Sequence, residues 1–196
     1  DLCTRHGILL VCDEVQVGCG RSGSFFSFER AGIVPDMVSL SKSISGCGLP
    51  MSLLLINPEI DCLRPGEHNG TFRGNQMAFV GAKRAIEYAI ENHVYENVSA
   101  KEKIVTDFIN ERILPLDKTF EHRGIGLIHG IDFSNSSLED ACAKVAGECF
   151  KNGLIIERAG RKDDVLKIMP ALTISDEMLI EGLEIIEKSI KNVFGF

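Results

Sequence analysis

Ile8-Leu9-Leu10-Val11-Cys12 is an unbroken apolar run that ends abruptly in two carboxylates, Asp13 and Glu14. Five residues are too few for a globular helix, and the run shows no alternation, so it predicts a strand buried on both faces, as parallel strands are. Asp36–Leu40 and Ser52–Ile56 repeat the pattern, the first leading into Ser41-Lys42 and the second closed by Asn57-Pro58. Between them lie loops rich in Gly and Ser, Gly18–Ser24 and Ser43–Gly48. The periodicity then becomes helical. Ala78, Ala82, Ala85, Ile86, Ala89 and Ile90 form one stripe, and Ile104, Val105, Phe108, Ile109 and Ile113 form a second that Pro115 ends. From Glu121 a smaller α+β pattern begins. Gly126–Phe133 reads as a strand, and Leu138–Phe150 as an amphipathic helix stopped at Asn152-Gly153. Leu154–Ile156 and Val165–Ile168 read as two short strands, and the last helix is capped by Ser175. An α/β chain is the expectation.

The start of the chain carries its own signal. Leu2–Gly7 has basic residues and then a glycine, as in the last turn of a helix, and no Met opens the sequence. A last turn alone does not nucleate. The chain is therefore expected to be a piece of a longer protein. Its net charge of −7 disfavours a nucleic-acid backbone or an anionic membrane surface as partner. No apolar run approaches the length of a membrane span, and no export signal opens the chain. Seven cysteines with no CxxC pair, two of them (Cys142 and Cys149) seven apart on one helix face, read as small core hydrophobes. A reducing cytoplasm and no metal site are the expectation.

Gly18–Gly23 matches GxGxxG literally. Two carboxylates at the strand end would repel a pyrophosphate, and Ser24–Phe28 offers no helix start, so a dinucleotide loop is disfavoured. Asp13 stands where open α/β sheets put their ligand chemistry, although an Asp there also caps turns. Lys42 is either a solvated loop residue or, held among small residues, an amine suited to condense with a carbonyl. An Asp and a Lys on neighbouring strand ends together fit pyridoxal phosphate. That cofactor needs a lysine for its Schiff base and a carboxylate to keep its ring nitrogen protonated. His68–Asn75, with Thr71 and two glycines before a helix start, is either a phosphate-binding element or a polar loop in which Asn75 is an N-cap.

Taken in order, Cys12–Gly23, Pro35–Val38, Ser41-Lys42 and Gly70–Asn75 resemble the class III (ω-type) pyridoxal-phosphate aminotransferases, and the likeness continues to Met169–Ile174. Leu40–Met51 and Pro65–Gln76 look most like the diaminobutyrate–2-oxoglutarate transaminases of ectoine biosynthesis within that family. The resemblance implies a fold-type-I α/β architecture. Residues 1–114 would be the remainder of the large, mainly parallel-sheet, cofactor-binding domain, and residues 115–196 a small C-terminal α+β domain. It implies transfer of an amino group from L-glutamate to L-aspartate 4-semialdehyde, with other class III reactions (on 4-aminobutyrate or acetylornithine) and a non-catalytic paralogue as the alternatives. Lys42 would carry pyridoxal 5′-phosphate and shuttle the proton. Asp13 would pair with the ring nitrogen, Val15 would pack on the ring face, and Gln16 would bond near the phenolic oxygen. Thr71 would reach the cofactor phosphate of a partner subunit, which implies a homodimer. Ser22 and Ala171 stand where relatives carry Thr and Pro, and Lys167 where several carry a carboxylate-binding Arg. The family's phosphate loop and ring-stacking aromatic lie in its N-terminal half, outside this sequence, so these 196 residues alone are expected to be inactive.

Overall fold

The computed structural model describes residues 1–196, which divide into two compact units, Asp1–Tyr95 and Glu96–Phe196. The division comes earlier than the expected 114/115 boundary for a packing reason. Val105, Phe108, Ile109 and Ile113 of the second helical stripe belong to the buried core of the C-terminal unit, with Val98 beside them and Ile104 packed against it.

In the first unit, α1 (Leu2–His6) is closed by Gly7 in the left-handed conformation, φ 62°. Strands β1 (Val11–Asp13), β2 (Met37–Ser41) and β3 (Ser52–Ile56) form a sheet in that order. β1 pairs parallel with β2, and β2 pairs antiparallel with β3. Within these residues the sheet holds one parallel and one antiparallel pairing. In the same residues β1 pairs with β2 alone, and Ile8, Leu9 and Val11 are 55%, 49% and 54% exposed. The apolar composition is that of a central strand of a wider sheet. β2 holds the alternation best. Val38 and Leu40 point into a small core with Cys19 and Ile44, flanked by Phe25, Phe26 and Phe28. α2 (Gln76–Glu91) starts at Asn75, whose side-chain oxygen accepts from the Ala78 amide at 3.3 Å. Its stripe is buried at Ala78, Ala82 and Ala89, while Ile90 stays 64% exposed.

α3 (Val94–Phe108) leads into a π-helical turn, Ile109–Ile113, ended by the Pro115 turn. The second unit is built on an antiparallel sheet in the order β4-β5-β7-β6, comprising β4 (Glu121–Ile125), β5 (Ile128–Asp132), β6 (Glu157–Ala159) and β7 (Val165–Ile168). The single strand expected over 126–133 is half of a hairpin. Gly126, at φ 57°, makes its turn with Leu127, and the polar β4 carries no apolar pattern to announce it. The strand expected at Leu154–Ile156 forms three residues later, where Arg158 pairs with Leu166. α4 (Ala141–Lys151) buries Cys142 and Cys149 on one face, as their spacing predicts. α5 (Asp176–Phe194) opens at Ser175, whose Oγ accepts from the Met178 amide at 3.3 Å. Both helices share one core with Ile131, Leu166 and Ile168 of the sheet. No helix is long and apolar enough to cross a membrane.

A pair of histidines spans the β4–β5 hairpin. Gly124 lies opposite His129 in register, and a Cβ there would fall 2.1 Å from His129 Nδ1, so the missing side chain makes room for the ring. His129 Nε2 donates to the Gly126 carbonyl at 2.8 Å, which leaves Nδ1 as the acceptor for His122 Nε2 at 2.9 Å. A proton on His129 Nδ1 would face a donor. Burial pushes both pKa values below the ordinary histidine value; His129 depresses His122 further, while the Gly126 carbonyl and Glu102 partly offset the effect at His129. A folded-state pKa below the unfolded one means that the unfolded chain binds more protons between the two. The hairpin's stability is therefore full above about pH 6.5 and declines as pH falls below it. Amide hydrogen exchange in β5 and β7 should accelerate beyond the intrinsic rate change as pH falls below about 6.5. His129→Gln, which keeps an amide for Gly126 but cannot titrate, should flatten that dependence; an unchanged slope would refute the assignment.

Candidate active site

The chemistry-bearing residues of the first unit collect where β1 and β2 end. The two strands run parallel with Asp13 opposite Ser39, so their C-terminal ends share one edge. Asp13 Oδ1 accepts from the Val15 amide at 3.0 Å, an Asx turn, and from Ser39 Oγ at 3.1 Å. Its Oδ2 takes no hydrogen bond from the chain. Strand alternation sends the next residue the other way. Glu14 is 2% exposed, and its amide donates to the Ser39 carbonyl at 2.9 Å. Its carboxylate accepts from Ser27 N at 2.9 Å, Ser27 Oγ at 2.5 Å and Phe28 N at 3.2 Å. One carboxylate of the pair faces outward; the other anchors the start of the Ser27–Ala31 turn. The sequence carries no signal for that second role, because Ser27 and Phe28 are brought to Glu14 only by the fold.

The GxGxxG-like turn has a packing explanation. Gly20, at φ 94°, lies against Tyr95, where a Cβ would come within 2.2 Å of the ring. No α-helix follows Gly23, only the short 3-10 turn Ser27–Ala31. Val15 and Gln16 lie partly exposed in the turn immediately beyond Asp13.

Lys42 begins where β2 stops. Ser41 is fully extended at φ −159°, and Lys42 then takes φ +51°, a left-handed conformation that costs a non-glycine residue about 1–2 kcal/mol. The chain reverses there into the 3-10 turn Lys42–Ser45, whose Ser45 Oγ donates to the Lys42 carbonyl at 3.3 Å. Ile44 anchors the turn in the core at 4% exposure, and Ser41 Oγ donates to the Met51 carbonyl at 2.9 Å. α2 clamps the far side. A Cβ at Gly46 would sit 2.2 Å from Ala85 Cβ, and one at Gly81 would sit 2.6 Å from Cys47 Sγ. The backbone under Lys42 is thus fixed on three sides, while its side chain is exposed and its amine makes no ion pair.

Thr71 stands apart. It lies in an exposed turn beside Phe72, which is 99% exposed, and no contact brings it to Asp13 or Lys42. Asn75 ties the start of α2 to the Lys42 side of the unit by donating to the Pro50 carbonyl at 3.4 Å. In the second unit, Lys167 Nζ is 2.6 Å from Glu157 Oε2, beside a largely apolar cavity of about 450 Å³ floored by Ile156, Ile168 and Leu183.

A lysine amine and a half-free carboxylate on adjacent parallel strand ends are the donor set that pyridoxal phosphate requires, so the residues present fit that group. Comparison with known proteins agrees. The family model for class III aminotransferases matches residues 1–190. The diaminobutyrate–2-oxoglutarate transaminase of Bordetella parapertussis is 47% identical over 196 residues, covering 99% of this chain and 45% of its own length. That of Halalkalibacterium halodurans is 48% identical over 191 residues, covering 97% of this chain and 44% of its own. The chain therefore spans a little under half the length of these curated relatives. Among solved structures, the Toxoplasma gondii ornithine aminotransferase superposes with a TM-score of 0.90 at 25% identity, covering 99% of this chain and 46% of that one. The Stenotrophomonas maltophilia N-acetylornithine aminotransferase gives 0.84 at 32% identity, covering 99% and 50%. The sheet edge, its lysine and its carboxylate sit in a chain that belongs to the class III aminotransferases, a fold-type-I family whose cofactor is pyridoxal 5′-phosphate.

Proposed function

We propose that this chain carries the lysine-bearing half of a transaminase that moves the amino group of L-glutamate to L-aspartate 4-semialdehyde, giving L-2,4-diaminobutyrate and 2-oxoglutarate, the step that feeds ectoine biosynthesis. The observation that carries the reading is the parallel register of Asp13 with Ser39, which sets the carboxylate and Lys42 at one edge. Identities of 44–48% to diaminobutyrate–2-oxoglutarate transaminases support the substrate pair. When bound, pyridoxal phosphate supplies an aldehyde that condenses with amines and a ring that takes up carbanion electrons. Lys42 would hold the cofactor through its amine, and its Nζ would carry the proton that is moved. Asp13 would pair with the ring nitrogen through Oδ2 and keep it protonated. Val15 would pack on the ring face, and Gln16 would hydrogen-bond near the phenolic oxygen. The exposure of Thr71 supports a role across a homodimer interface, bonded to the phosphate in the partner subunit. The seven free cysteines, with Cys47 and Cys62 exposed, fit a reducing cytoplasm. The ornithine and N-acetylornithine aminotransferases among the structural neighbours support a second reading, a different ω-amino substrate on the same machinery. Assay of the holoenzyme with glutamate against aspartate semialdehyde and against N-acetylglutamate semialdehyde separates the two.

Borohydride reduction of the holoenzyme should fix the cofactor to the peptide that contains Lys42, and Lys42→Ala should abolish label and transamination together. Label on another lysine would overturn the assignment. Asp13→Asn should preserve the fold and the label yet lower turnover by about three powers of ten, roughly 4 kcal/mol of transition-state stabilisation. Near-normal turnover would reduce Asp13 to a turn residue.

A further inference from the structure

Asp13 is the outward carboxylate of the site, but nothing in its own turn fixes the plane of that carboxylate. The Val15 amide supplies one hydrogen bond to Oδ1 from two residues away. The second bond to the same oxygen comes from Ser39 Oγ at 3.1 Å, across the strand pairing and 26 residues along the chain. Two donors on Oδ1 fix the rotation of the group and leave Oδ2 without a partner in the chain. We infer that Ser39 is a positioning residue for the transamination: its hydroxyl locks the Asp13 carboxylate so that Oδ2 is presented to the cofactor's ring nitrogen. The inference rests on the reading of Asp13 given above.

Several features make Ser39 suited to this and little else. It occupies a central strand between Val38 and Leu40, both buried on the opposite face, so its side chain takes no part in the core. A hydroxyl has one proton to donate, and at Ser39 it goes to Asp13. The backbone of Ser39 serves the fold separately. Its carbonyl accepts from the Glu14 amide at 2.9 Å, and it pairs in register with Leu54 of β3. Replacing the side chain therefore removes the hydroxyl and keeps the ladder. A β-branched serine analogue retains the donor and suits a strand.

The test uses the holoenzyme carrying this sequence, with Ser39→Ala, Ser39→Thr, Asp13→Asn and the Ser39→Ala/Asp13→Asn double variant. Ser39→Ala should lower kcat of the glutamate half-reaction about tenfold, the scale of one hydrogen bond to a charged group, while KM for glutamate moves less than twofold. It should also shift the pH midpoint of the bound cofactor's visible absorption band, leave the borohydride label on Lys42 in place, and be reversed in both readouts by Ser39→Thr. In the Asp13→Asn background the alanine should add no further loss, because the two residues act through one interaction. A Ser39→Ala enzyme with the parent's kcat and pH midpoint, or losses that multiply in the double variant, would overturn the inference. If Asp13→Asn itself matches the parent in spectrum and rate, the reading of Asp13 fails instead, and the inference falls with it.

Discussion

The pairing of Asp13 with Ser39 across two parallel strands is the constraint on which the rest of the site depends. A parallel register places both C-terminal ends on one edge, where chains of this architecture gather ligand chemistry. The carboxylate is at the end of one strand, and the lysine follows the end of the other. An antiparallel pairing of the same segments would put Asp13 and Lys42 at opposite ends of the sheet. β2 also pairs with β3, so the strand that leads to Lys42 is held from both sides.

Lys42 at φ +51° is costly, and the structure around it fixes the conformation. Ile44 is seated in the core, Ser45 bonds the Lys42 carbonyl, and Gly46 and Gly81 let the turn and α2 touch. The backbone at Lys42 is thus braced while its side chain stays exposed. The neighbouring carboxylates divide labour in a similar way. Glu14 accepts three hydrogen bonds from Ser27 and Phe28, while both donors to Asp13 meet Oδ1 and leave Oδ2 without a partner in the chain.

Much of this was legible in the residues, and what was not has a common physical cause. Asp13 and Lys42 stand out because each follows an apolar run, which is a local signal. The αL cap at Gly7, the Ser175 N-cap and the cysteine face of α4 are local too, and they form as the sequence predicts. Ser39 and Glu14 were invisible as partners, since strand register over 26 residues and a loop of 13 decide what they meet. β4 was missed because Glu121–Ile125 has no apolar alternation and owes its strand conformation to pairing with β5.

A crystal structure of the holoenzyme with pyridoxal phosphate bound tests the central claim most directly. The account predicts continuous density from the cofactor to Lys42 Nζ, the ring nitrogen within hydrogen-bond distance of Asp13 Oδ2, and Oδ1 still held by Val15 and Ser39. A ring nitrogen directed at any other group, or a cofactor joined to a different lysine, would contradict it.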